Sequence, residues 1–275
     1  MSSTVKKVRV PDLARMKERS ERIVMLTAYD ATMARILDQA GIDLLLVGDS
    51  LGHVILGMDT TVSVTLNAVR HHTRAVAKAA NRALVVADMP FMTYEVSPEQ
   101  AMRNSARLFQ DGAAAVKIEG GRTVAEVVRR LTAAGLPVMG HIGLTPQHVH
   151  QLGGMRRQAR DREAAEQLMC DALALEEAGA FAIVLESIPD EVAEAVTSRL
   201  AIPTIGIGAG PHCDGQVLVS YDMLGLFESA PPFVKRYARL GELVRDAASQ
   251  FAGDVRRGEC PRPSERRRCT ALVVS

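Results

Sequence analysis

A chain of 275 residues, 47% of them hydrophobic, is long enough to bury one large core and too apolar to be intrinsically disordered. Its 33 Lys and Arg against 32 Asp and Glu exclude a general nucleic-acid or membrane binder, either of which needs a basic surface. No apolar run reaches the roughly 18 residues of a membrane span.

The opening segment MSSTVKKVRVPDLARMKERS carries charges where a signal peptide has its apolar stretch, so a cytoplasmic protein is expected. A first helix is predicted near residues 11–22. Short apolar runs then recur: IVMLTAY (23–29), LLLVGDS (44–50), ALVVADMP (83–90), AAVKIEG (114–120), PVMGHIG (137–143), FAIVLES (181–187), PTIGIGAG (203–210) and, more weakly, GQVLVSYD (215–222). Continuous runs of this kind suit parallel strands covered on both faces. The stretches between them read as helices. Ser97-Pro98-Glu99-Gln100 starts one, with Ser97 as N-cap, Pro98 in the first turn and Gln100 closing a capping box, and Asp111-Gly112 stops it. Residues 164–178 form another, ended by Gly179.

Eight strands alternating with helices over about 250 residues predict an α/β fold, a (β/α)8 TIM barrel with an extra N-terminal helix covering its bottom. A doubly wound open sheet is the alternative. No linker divides residues 1–253, expected to be a single catalytic domain; residues 254–275 hold six arginines, two prolines and two cysteines and are expected to be a flexible, solvated tail.

The apolar runs end in polar residues: Asp49-Ser50 after the second, Asp88 on the third, Lys117 and Glu119 on the fourth, His141 on the fifth and Glu186 on the sixth. Charge inside an apolar run is costly without a partner, and strand C-termini form the active-site face of a barrel, so these residues should converge. Lys117 and Glu119, two apart on a strand, face the same way. Asp49, Asp88 and Glu119 offer hard oxygen ligands of the kind Mg²⁺ takes; because Mg²⁺ accepts few direct carboxylates, one of the three is expected to act through water. Lys117 would hold a substrate carboxylate. Glu186, flanked by Ile183-Val184-Leu185, suits a general base. The set points to chemistry on the enolate of a small 2-oxo acid.

Other features read more plainly. Gly206-Ile207-Gly208-Ala209-Gly210 lacks the spacing of a dinucleotide site and is either a tight turn or an anion-binding loop. His148 and His150 lack a third ligand, and His71-His72 lie on a predicted helix. Cys170, Cys213, Cys260 and Cys269 show no CxxC spacing. Residues 147–163, with Gly153-Gly154 and Arg156, Arg157, Arg160 and Arg162, suit a solvated loop or a mobile lid whose arginines face an anionic cosubstrate.

The segments TAYDATMARI, LLLVGDSLG, DMPFMTY, SPEQA, VKIEGG, GHIGLTPQ, DALALEEAGA, VLESIP and IPTIGIGAG, in this order over residues 10–255, resemble the ketopantoate hydroxymethyltransferase family. The resemblance implies a homo-oligomeric barrel, typically a decamer, that uses Mg²⁺ and takes a one-carbon unit from 5,10-methylenetetrahydrofolate to 3-methyl-2-oxobutanoate, giving 2-dehydropantoate for pantothenate synthesis. Carried over by motif, Asp49, Asp88 and Glu119 serve the metal, Asp49, Ser50, Asp88, Lys117 and His141 contact the 2-oxo acid, and Glu186 is the proton acceptor. The family's GGxxxQGR reads GGMRRQAR here, with Ala159 for a glycine, and the tail after Glu259 does not resemble the family's end. The rival readings are a Mg²⁺-dependent carbon–carbon lyase or mutase of a related barrel group, whose lyases carry a lid cysteine that residues 147–163 lack, and a non-catalytic anion-binding barrel.

Overall fold

The computed structural model describes residues 6–261. The chain folds into two compact units, one ending at Ser220 and one starting at Tyr221. The first is a closed barrel of eight parallel strands in sequential order: β1 (Ile23–Thr27), β2 (Leu44–Val47), β3 (Leu84–Asp88), β4 (Ala115–Glu119), β5 (Val138–Gly143), β6 (Ala182–Glu186), β7 (Thr204–Ile207) and β8 (Gly215–Leu218), with β8 pairing back onto β1. Each lies inside a predicted apolar run. The open-sheet alternative is excluded by that closure.

The helices of this unit are α1 (Val10–Glu18), α2 (Ala31–Gln39), α3 (Leu51–Val54), α4 (Leu66–Ala79), α5 (Pro98–Gln110), α6 (Ala125–Ala133), α7 (Val149–Leu152), α8 (Arg162–Glu177) and α9 (Asp190–Arg199). Helix α5 starts where its sequence says, Ser97 Oγ accepting from the Gln100 N–H at 3.1 Å. The reciprocal arm of the box is missing: Gln100 Nε2 donates to Met92 O, and among the described residues its Oε1, which would accept from the Ser97 N–H, has no partner. The predicted strand–helix alternation lapses once: residues 208–214 join β7 to β8 without a helix, turning on Gly208 and Gly210, both at positive φ. That glycine-rich stretch is thus a turn, and a Cβ on Gly210 would lie 2.5 Å from Asp190 Cγ.

The second unit carries the end of α10 (Ser220–Met223) and the helix α11 (Leu240–Arg256). Asp254, Val255 and Arg256, at the start of the expected tail, close α11; residues 262–275, Cys269 among them, lie outside the described residues. No helix among the described residues is long and apolar enough to cross a membrane. Cys170, Cys213 and Cys260 are free.

The interior of the barrel has two chemically different halves. Strand alternation points every second residue inward. Toward the strand N-termini these are Ile23, Met25, Leu44, Leu46, Leu84, Val86, Ala115, Met139, Ala182, Val184, Ile205 and Val217, joined in one cluster by Leu13 of α1. Helix α1 therefore closes the bottom, as expected. Lys17 latches it there, donating to Thr197 O (3.0 Å), Ile202 O (3.0 Å) and Asp214 Oδ2 (2.9 Å). Bottom-side carboxylates serve as structural acceptors: Asp38 takes the N–H groups of Asn81, Arg82 and Ala83, and Asp43 takes that of Val24.

Leu13 is fully buried where α1 plugs the barrel. Leu13→Ala is expected to cost about 2–5 kcal/mol, the usual range for opening a core cavity. Urea denaturation followed by circular dichroism measures it; a loss under about 1 kcal/mol would contradict the plug.

Candidate active site

Continuing upward along the same inward-facing rows, the side chains change from apolar to ionic. Asp88 follows Leu84 and Val86 on β3, Lys117 and Glu119 follow Ala115 on β4, His141 follows Met139 on β5, and Glu186 follows Ala182 and Val184 on β6. Strand register then sets the neighbours. Asp88 is paired in register with Lys117, and Glu119 with His141. The result is a lateral row of alternating charge at the barrel mouth.

Lys117 Nζ lies 3.1 Å from Asp88 Oδ1, 3.9 Å from Glu119 Oε1 and 3.1 Å from His141 Nδ1. His141 Nδ1 lies 3.3 Å from Glu119 Oε1, and its Nε2 lies 3.1 Å from Glu186 Oε2. Asp49, in the turn after β2, joins through its backbone N–H, which donates to Asp88 Oδ2 at 2.9 Å. Asp88, Glu119, Lys117 and His141 are at most 5% exposed, whereas the Glu186 side chain keeps 17% exposure. The predicted set thus converges. Glu186 differs from its expected setting, since a histidine, not an apolar flank, meets its carboxylate.

Ser50 sits slightly apart, its Oγ 2.8 Å from the hydroxyl of the buried Tyr29. His148 Nδ1 lies 3.2 Å from Thr145 Oγ1, and His72 Nδ1 lies 2.6 Å from Tyr29 O. Neither joins the cluster.

Burial and crowding set the electrostatics. Burial, then the charges of Asp88 and Glu119, push the Asp49 carboxyl well above the usual carboxylate range. Burial also raises Asp88, although Lys117 opposes it. At Glu119 the burial penalty is outweighed by His141 and Lys117, and the carboxyl is held below its ordinary value. Burial pulls Lys117 down, but Asp88, Glu119 and Asp49 outweigh it and raise the ammonium above its ordinary range. Burial and Lys117 likewise oppose charge on His141, yet Glu119 and Glu186 push its imidazole up to about 9. When neutral, Nδ1 can accept from Lys117; when protonated, it donates to Glu119.

Two residues that the sequence pattern does not mark complete the site. Gln147 lies in the 3-10 turn Pro146–His148 and is 2% exposed. Its Nε2 donates to Asp49 Oδ2 (2.9 Å) and Met89 O (3.0 Å), and its backbone N–H donates to Glu119 Oε2 (3.0 Å). The fully buried Tyr94 donates its hydroxyl to Gln147 Oε1 (2.7 Å), with Glu119 O at 3.0 Å. The segments DMPFMTY and GHIGLTPQ contain both residues, but nothing in their spacing marks a neutral amide or a phenol as a partner of distant acids.

The stretch 147–163 is more ordered than a solvated loop. After the 3-10 turn it forms α7, turns through Gly153 and Gly154, and returns to the site, where the Gln158 N–H donates to Ser187 O at 2.8 Å. Ala159, in the family's glycine position, has φ +52° and is buried. Beside Glu186, Gly143 has φ +92°, and a Cβ there would fall 2.3 Å from Glu186 O. A glycine is required for the chain to pass behind Glu186.

The chain compares closely with known proteins. A family model described as Ketopantoate hydroxymethyltransferase matches residues 7–263. The chain belongs to the ketopantoate hydroxymethyltransferase family. The 3-methyl-2-oxobutanoate hydroxymethyltransferase of Pelobacter propionicus is 55% identical over 95% of this chain and 97% of its own length. That of Hyperthermus butylicus is 52% identical over 93% of this chain and 88% of its own. With this family come a transferase activity and a place in pantothenate biosynthesis. Among solved structures, a 2,3-dimethylmalate lyase of the PEP mutase/isocitrate lyase superfamily shares the fold at TM-score 0.61 and 19% identity, covering 94% of this chain and 89% of its own. A phosphonopyruvate hydrolase crystallised with oxalate and Mg²⁺ does so at TM-score 0.60 and 14% identity, covering 91% and 88%.

The positive φ of Ala159 generates a test. Left-handed backbone costs a non-glycine residue about 1–2 kcal/mol, against about 0.5–1 kcal/mol of extra chain entropy for glycine. Ala159→Gly is expected to stabilise the protein by up to about 1 kcal/mol. Thermal melts decide it, and a clearly lowered Tm would contradict the strain.

Proposed function

We propose that the barrel mouth transfers a hydroxymethyl group from 5,10-methylenetetrahydrofolate to 3-methyl-2-oxobutanoate, giving 2-dehydropantoate, with Mg²⁺ bound beside the 2-oxo acid and Glu186 as the base. The supporting observation is the buried charge balance. Asp49, Asp88, Glu119 and Glu186 face Lys117 and His141, which leaves two negative charges uncompensated even when the histidine is protonated. Burial, and after it the charges of Asp88 and Glu119, raise the Asp49 carboxyl. A divalent cation matches it in charge and suits the oxygen donors.

Among the described residues, no three His, Cys, Asp or Glu side chains already form a metal-holding group. Each acid has another partner instead: Asp88 has Lys117, Glu119 has His141, and Asp49 has Gln147. Asp49 and Asp88, linked through the Asp49 N–H, would hold the cation, and Glu119 would act through water. Mg²⁺, when bound there, would supply Lewis acidity to the ketone of the 2-oxo acid.

The chain's own groups supply the rest. Lys117 and the Ser50 hydroxyl orient the substrate carboxylate. Glu186 accepts the proton from the branched carbon next to the ketone. His141 Nε2, 3.1 Å from Glu186 Oε2, holds that carboxylate in place. Water opens the two methylene C–N bonds of the donor, its hydrogens passing to the nitrogens of the departing tetrahydrofolate and its oxygen staying on the one-carbon unit. The carbon freed of its proton bonds to that unit, and the proton held by Glu186 passes to the new hydroxyl. The partial exposure of Glu186 suits a base that receives its substrate from the open end of the barrel.

Glu186→Gln is expected to abolish solvent exchange of the branched-carbon proton, followed by NMR in ²H₂O, while 2-oxo acid binding stays measurable; retained exchange would rule out Glu186 as the base. Separately, the protein incubated with 3-methyl-2-oxobutanoate and methylenetetrahydrofolate should form product with Mg²⁺ and lose it after chelation. Absence of product under both conditions would refute the reaction.

A further inference from the structure

We propose that Gln147 is a positioning residue of this reaction: its amide and its backbone N–H hold Asp49 and Glu119 in the relative placement that a divalent cation needs. The proposal rests on reading these two acids as cation-serving groups.

Asp49 follows β2 and Glu119 ends β4, so the strand β3 separates them in the barrel. Both are buried, both repel Asp88, and no backbone ladder joins them directly. Gln147 bridges the gap from a third element, contacting Asp49 Oδ2 through Nε2 and Glu119 Oε2 through its backbone N–H. An arginine or lysine here would bring a positive charge and compete with a cation for the same acids. A glutamine supplies donors without charge. It also engages a single oxygen of each carboxylate.

The amide has one workable orientation. Both Nε2 hydrogens are used, on Asp49 and Met89 O, and Oε1 accepts from Tyr94. Rotating the amide by half a turn would set Oε1 against two acceptors, and the Tyr94 hydroxyl holds it from the other side. Such complete use of a buried side chain fixes direction as well as position. The preceding Pro146 and the 3-10 turn stiffen the backbone that presents it.

The decisive variant is Gln147→Met, which keeps the volume and the backbone N–H and removes the amide. Calorimetric titration of Mn²⁺ into the chelator-stripped full chain should show affinity weakened about 10–100-fold, the range for losing a group that orients a metal ligand. Activity of the variant should return toward wild type as Mg²⁺ is raised, which a merely structural defect would not allow. Wild-type protein that binds Mn²⁺, together with a variant matching it within twofold, overturns the proposal alone. Wild-type protein that binds no Mn²⁺ overturns the cation reading beneath it as well. If Gln147→Met does not fold, Tyr94→Phe carries the test, since it removes only the hydroxyl that fixes the amide. Its Mn²⁺ affinity should fall on the order of two- to tenfold, the weight of one buried hydrogen bond; unchanged affinity overturns the proposal.

Discussion

The ammonium of Lys117, buried between Asp88, Glu119 and His141, is the interaction on which the barrel mouth depends. Without it, the acids at the ends of β3 and β4 would share a water-poor space with only a histidine to offset them. Removing one partner of such a buried pair typically costs about 3–5 kcal/mol, because the other charge is left uncompensated. The strand register makes this arrangement automatic: once β3 and β4 pair, Asp88 and Lys117 are neighbours, and β4 with β5 sets Glu119 beside His141. The ionic row is thus a consequence of the same hydrogen-bond ladder that builds the barrel.

The acids at the two ends of the barrel behave differently for a clear reason. Asp38 accepts from three backbone N–H groups, and Asp214 from Lys17 and the Thr204 N–H. Those carboxylates are satisfied by the chain that they staple. At the mouth, Asp49 receives a single side-chain donor and faces two other acids. Asp49 thus differs from the bottom-side acids in how few donors the chain offers it. The apolar lower half, sealed by Leu13, supplies the rigidity that keeps the acids together against their repulsion.

What could be read from the sequence follows the range of each signal. The strands were legible because an apolar run of five or so residues is a local property, and all eight observed strands fall in such runs. The inward acids were legible because alternation carries a lower apolar residue to a charged one two positions later, as Ala115 leads to Lys117 and Glu119. Gln147 and Tyr94 were not, since their importance lies wholly in what lies across the barrel from them. The missing helix between β7 and β8 was legible in the spacing instead: only residues 211–214 separate the two apolar runs, too few for a helix. At α5 the N-cap was local and held, whereas the fate of the Gln100 amide depended on Met92, in the preceding loop.

The segment from Gln147 to Ala159 unites these threads. Its first residue is locked among the acids at one side of the mouth, and near its end the Gln158 N–H is bonded to Ser187, the residue after Glu186. Ala159 and Ser187 both occupy left-handed backbone, at φ +52° and +49°, so two side-chain-bearing residues take a costly conformation where these strands of chain meet. A free lid would need no such anchoring at both ends. Only the middle, with α7, Gly153 and Gly154, is built from residues that can change conformation cheaply. The segment therefore links the acids near β2 and β4 to the loop beside Glu186 on β6, with its glycines between the two anchored ends.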